Sequence, residues 1–143
     1  MNTTALVHEA YLKLAGGEGD YASRGHFMAV ASKAIRQVLY SYAERQSAQK
    51  RGGDVAVVSL DEAAIVPPER AEALVALEEA LARLERVDPR AAQVVECRFF
   101  GGLDAEETAD ALGISARTVG RDWAMARAWL FGELTRDALE PAP

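Results

Sequence analysis

The segment from Asp104 to Arg127, "DAEETADALGISARTVGRDWAMAR", constrains the fold more than any other part of this chain. Asp104 and Glu107 have the spacing of a capping box, with Asp in place of the more usual Ser or Thr, so a helix should begin just after Asp104. A small residue, Ala109, stands where two helices must approach closely, and Gly113 follows at the turn. Ser115 then caps a second helix, while Ile114 and Val119 supply apolar contacts that hold it across the first. With Val119 taken as the inward direction, about 100° per residue places Trp123, Ala126 and Leu130 on the same face and Arg117, Arg121, Ala124 and Ala128 opposite. This is the pattern of a helix-turn-helix. Two arginines at helical spacing, near a helix N-terminus whose free N–H groups attract phosphate, suit a DNA major groove. The competing reading is a helical hairpin that only packs, its arginines solvated; agreement in register of the alanine, the glycine and the capping serine favours the DNA reading.

The rest of the chain is also helical in pattern. Residues 4–15, "TALVHEAYLKLA", place Leu6, Ala10 and Leu14 at helical spacing, with Val7 and Tyr11 on a neighbouring stripe, before "GGEGDY" ends the helix. Ser23 is an N-cap for a long second helix in which Phe27, Val30, Ala31, Ala34, Val38, Leu39 and Tyr42 recur at three- and four-residue steps, and Gly52 and Gly53 stop it. Residues 54–68, "DVAVVSLDEAAIVPP", keep no helical period and close on two prolines, which marks a linker with an apolar stretch at Val55–Leu60 able to dock. From Glu69 an apolar stripe of Ala73, Leu74, Leu77, Ala80, Leu81 and Leu84 runs among charges. Asp88 and Pro89 then form a cap and first-turn proline for a helix reaching Gly101. The predicted class is all-α: two small helical domains, 1–53 and 69–143, joined by the linker 54–68, the second domain a helix-turn-helix bundle.

Charge distribution matters more than the total. A formal net charge of −6 argues against a general polyanion binder, yet Arg24–Arg51 holds six Lys/Arg against the single acid Glu44, whereas Asp54–Asp110 holds fourteen acids against five arginines. A basic helix ahead of an acidic middle directs nucleic acid to one surface and a protein partner to another. The single cysteine, Cys97, fits a reducing cytoplasm, and its apolar helical position favours a core role over a redox switch. No CxxC or HExxH spacing offers a metal site. His8 and His26 stand far apart with no nucleophile or acidic partner at a diagnostic spacing, so neither an enzyme nor a cofactor is expected. No apolar run approaches the roughly 20 residues that span a bilayer, so a membrane partner is not expected.

"TALVHEAYLKLAGG", "RGHFMAVASKAIRQVLYSYAERQSAQKRGG" and "ALVALEEALARLERVDPRAAQVVECRFFGGLDAEETADALGISARTVGRDWAMARAWL" together resemble, in the same order, the extracytoplasmic-function (ECF) sigma factors of bacterial RNA polymerase. The resemblance runs through nearly the whole chain after Thr3. It implies that residues 1–53 are similar to sigma region 2 and residues 69–143 to region 4, with core RNA polymerase and promoter DNA as partners and an anti-sigma factor as a further candidate. The first helix would dock on polymerase through Leu6, His8, Glu9, Tyr11 and Lys13, although Leu6 and Tyr11 read equally well as core. The −10 element would be captured by Tyr21, Arg24, Phe27, Lys33 and Arg36, since a base taken out of its stack needs aromatic partners and cations along the backbone. Phe27 also reads as core, from its place in the apolar stripe. The −35 element would meet the recognition helix at Ser115, Arg117, Thr118, Gly120, Arg121 and Ala124. A tether between two readers lets each find its element while polymerase fixes their separation.

Three departures from the family pattern bear on strength. Family members normally carry helical sequence ahead of the stretch resembling "TALVHEAYLKL", which here stands almost at Met1, so the first domain is expected to leave apolar surface for a partner, a second copy among the candidates. Gly120 and Ala124 stand where relatives commonly have Lys or Arg. Ser41 and Glu44 stand where an acid and a base, respectively, are common. The expectation is a promoter-directing sigma-like protein with weakened DNA contacts; the alternative is a shortened, non-initiating form that binds polymerase or an anti-sigma factor.

Overall fold

The computed structural model describes residues 24–50 and 66–139, and these form helices joined by short turns, with no strand among them. Helix α1 spans Arg24–Lys50, α2 Pro68–Val87, α3 Pro89–Val95, α4 Ala105–Leu112 and α5 Ala116–Leu139. A π-helical turn, Glu96–Phe100, continues α3 without a break. The all-α expectation holds. The linker's apolar stretch at Val55–Leu60 lies outside the described residues.

Local sequence accounts for the helix boundaries. Pro67 and Pro68 open α2, and Asp88 serves two helices: its N–H donates to the Leu84 carbonyl at 2.7 Å, closing α2, and its carboxylate accepts from Ala91 N–H at 3.1 Å, opening α3 with Pro89 in the first turn. Asp104 and Glu107 form the complete capping box, with the Asp104 carboxylate accepting from Glu107 N–H at 2.8 Å and the Glu107 carboxylate from Asp104 N–H at 2.9 Å. Gly113 ends α4 in the left-handed region at φ 67°, where an L side chain is strained. The Ser115 hydroxyl then caps α5 by accepting from Thr118 N–H at 3.1 Å.

Packing falls into three apolar clusters. The largest joins Ala80, Leu81 and Leu84 of α2, Ala91, Ala92 and Val95 of α3, and Ala126 and Leu130 of α5. Full burial of a leucine is worth about 1.5–3 kcal/mol, so Leu81 and Leu84 are central to this unit. A second cluster, Val94, Ala109 and Val119, is the contact that fixes α5 across α4. The third joins α1 to the start of α2: Val38, Tyr42 and Ala43 pack with Val66 and Ala71. Val66, from the end of the stretch read as linker, is thus fully buried.

Two positions depart from the predicted stripes. Phe27 is 38% exposed, because α1 buries its apolar side toward its C-terminal half, around Ala34, Val38, Tyr42 and Ala43. Ala73 is exposed, its place in the core taken by Ala71.

Helix α1 also lies directly against α2, α4 and the π-helical turn. Two glycines permit this approach. A Cβ on Gly25 would stand 2.9 Å from the Asp110 carbonyl oxygen of α4, and one on Gly101 would stand 2.0 Å from the Ser32 hydroxyl of α1.

Candidate nucleic-acid interface

The recognition helix is held before it is exposed. Val119, Ala126 and Leu130 are buried along one face of α5 with Trp123 beside them, while Arg117, Arg121, Ala124 and Ala128 are exposed on the other, as the spacing predicts. Asp122, buried on the flank, is the helix's electrostatic anchor. Arg90 in the first turn of α3 reaches it twice, Nε to Oδ2 at 2.6 Å and Nη2 to Oδ1 at 3.2 Å, a bidentate pair that fixes the rotation of α5. The guanidinium groups of Arg98 and Arg127 each stand over the Trp123 ring, 5.1 and 5.7 Å from its centre. Sequence reasoning passed over Asp122. The available signal was an acid one position from the inward-facing Trp123, which a folded core accepts only with a cation opposite.

At the helix start, Ser115 and Thr118 are linked hydroxyl to hydroxyl at 2.9 Å, and Ser115, Arg117, Gly120 and Arg121 are exposed. A Cβ at Gly120 would meet nothing within 4 Å. The face therefore offers two cations and, on its flank, an open, side-chain-free position.

The residues expected at the −10 element separate. Arg24 is exposed at the start of α1, where it lines a cleft with Glu106, Glu107 and Asp110 of α4. Lys33 is exposed beside a second cleft that includes His26, Gln93 and Glu96. Arg36 differs from Arg24 and Lys33: it is 6% exposed and wholly engaged by carboxylates from the second half of the chain. Its Nε and Nη2 donate to Glu78 at 2.8 and 2.9 Å, and its Nη1 donates to Glu96 at 2.8 Å and to Glu85. Burial alone would lower the Arg36 pKa, but hydrogen bonds to Glu78, Glu85 and Glu96 more than offset this and raise it. Burial pushes the Glu96 carboxyl up, with Arg36 opposing the shift. This clasp was not legible in sequence, because its members are 42 to 60 residues apart. Tyr21 and the polymerase-facing set Leu6, His8, Glu9, Tyr11 and Lys13 lie outside the described residues.

Cys97 is buried, and burial pushes its thiol up to about 11, with the Glu96 charge adding to the shift and a hydrogen bond from Ser32 opposing it. The described residues contain no cluster of His, Cys, Asp or Glu suited to a metal. No helix among them is long and apolar enough to cross a membrane.

A capped, αL-terminated helix pair with an exposed arginine face defines a helix-turn-helix protein, a class that contacts nucleic acid through its second helix. The particular family follows from the chain as a whole: the model of the ECF sigma factor family matches residues 1–136, and the chain belongs to that family. No curated protein and no solved structure matches it. Its role is accordingly sigma-factor-like, within a family of transcription regulators and not of enzymes.

Proposed function

We propose that this chain is a promoter-specificity subunit: it binds core RNA polymerase through residues 1–53, helps open the −10 region and contacts the −35 element through α5. Arg117 and Arg121 would supply the base or phosphate contacts, with Ser115 and Thr118 at the helix start. The observation that carries this reading is the exposed Arg117–Arg121 face on a helix anchored by Val119 and by the Arg90–Asp122 pair. Tyr21, Arg24, Phe27 and Lys33 would serve the −10 strand, with Arg36 joining them once released from its carboxylates. The reading needs no cofactor and places the protein in the cytoplasm with polymerase.

The test is transcription by core polymerase from genomic DNA fragments, with and without the full chain. Promoter-specific transcripts that depend on the chain are expected, and their absence would refute initiation. The burial of Arg36 and the absence of side chains at Gly120 favour a second reading, a non-initiating protein that binds polymerase or an anti-sigma factor. Polymerase retained on the immobilised chain without an open complex would select it. Tight duplex binding without polymerase would instead indicate a stand-alone DNA binder.

A further inference from the structure

We infer that the cavity lined by α1, α3, the π-helical turn and α4 is a binding site for a small apolar amino acid, whose ammonium and carboxylate are held by Glu96 and Lys33. The site is separate from the arginine face of α5 and does not depend on the promoter-specificity reading.

Size and lining define the occupant. The cavity measures about 330 Å³, at the small end of the range for ligand sites. Its apolar wall is Ala29 and Val30 of α1 with Ala111 and Leu112 of α4, which suits a compact aliphatic side chain. Cys97 adds to that wall, since burial keeps its thiol protonated. Beside the wall stand three polar groups: Lys33 of α1 and Gln93 of α3, both exposed, and the buried Glu96 of the π-helical turn. Arg36 takes Oε2 of Glu96, and among the described residues Oε1 has no partner. A buried carboxylate with a spare acceptor calls for an N–H donor.

Local charge disfavours simpler ligands. Glu78, Glu85 and Glu96 surround Arg36, so with Lys33 this neighbourhood holds three carboxylates against two cations. A lone carboxylate would meet that surplus, and a lone amine would meet the Lys33 ammonium. A zwitterion answers both: its ammonium donates to Glu96 Oε1, while its carboxylate accepts from Lys33 Nζ and from the Gln93 amide. Ala111 and Leu112 lie in the last turn of α4, whose C-terminal carbonyls further favour the ammonium. His26, an imidazole on α1, is the remaining titratable group of the lining.

Calorimetric titration of the full chain with L-leucine and with L-valine tests this, alongside thermal melting. At least one is expected to bind with a Kd of about 1 mM or tighter, within reach of so small a ligand, and to raise Tm as its concentration rises. Isocaproate, which is leucine without its ammonium, and isoamylamine, which is leucine without its carboxylate, should each bind at least about tenfold more weakly than leucine, the worth of one charge-assisted contact. Lys33→Gln should weaken amino-acid binding by a similar factor, and Ala29→Leu, which extends the apolar wall into the cavity, should abolish it. Lys33 is exposed, so its variant should melt like the parent without ligand and carries the test alone should Ala29→Leu fail to fold. Absence of binding by both amino acids, or equal binding of the acid or the amine, would overturn the assignment. Amino-acid binding that Lys33→Gln leaves unchanged would overturn the placement in this cavity.

Discussion

Gly120→Lys separates how well the recognition helix is built from how well it reads DNA. Gly120 lies in the interior of α5 with an ordinary helical backbone, is exposed, and has no atom within 4 Å of the position a Cβ would take. A side chain there encounters no steric cost, so the full helix-propensity difference applies, about 0.7 kcal/mol in favour of Lys. For a chain of this size that raises Tm by about 2–3 °C. The ammonium also stands between the exposed Arg117 and Arg121 in sequence. One further phosphate contact should steepen the dependence of log Kd on log salt by about 0.9. The assay is filter binding of polymerase plus the chain to a promoter fragment on which it stimulates transcription, across a salt series, alongside thermal melting. Gly132→Lys is the internal control, because Gly132 is equally open in the same helix but lies beyond the first turns: melting should rise while the salt slope stays unchanged. A rise in Tm without a change of slope for Gly120→Lys would show that this face does not meet DNA.

Further outcomes follow from the same geometry. Arg117→Ala and Arg121→Ala should each weaken promoter binding and flatten the salt slope, while moving stability by less than about 0.5 kcal/mol because both side chains are exposed; a large loss of Tm would assign them to packing. Asp104→Ala removes the cap and half of the box at the start of α4 and should cost about 1 kcal/mol in denaturant unfolding. Cys97 should resist alkylation by iodoacetamide at pH 8 in the native state and react on unfolding. With the folded thiol near 11 and its ordinary value of 9.0, the folded chain holds the extra proton between the two, so the thiol's contribution to stability should fall as pH rises across that window. Alkylation at the same rate with and without urea would contradict its burial.

The second half was legible because its signals are local. Asp88, Pro89, Asp104, Glu107, Gly113 and Ser115 act within four residues of their partners, and a period of 3.6 sorts Val119, Trp123, Ala126 and Leu130 from the arginines. What escaped was set by distant pairing. Nothing near Arg36 in sequence shows that Glu78, Glu85 and Glu96 surround it, and a cation on a basic helix reads as a DNA contact until its neighbours in space are known. Gly25 and Gly101 escaped similarly. Each looks like punctuation at a helix end, and only the opposing α4 or Ser32 reveals a close approach.

The π-helical turn at Glu96–Phe100 sets an angle. There Gly101 N–H reaches back five residues to the Glu96 carbonyl at 3.0 Å, so this stretch holds one residue more than an α-helix of the same rise. Deletion of a single residue here would let the stretch close into an α-helix of the same rise, so the helix-turn-helix would keep its phase against the helices before it. Asp110 would still face Gly25, while the widened turn that carries Glu96 and Cys97 would narrow. Among proteins built this way, the loss of one residue in this segment is taken up by the width of a single turn and leaves the reading helix in register.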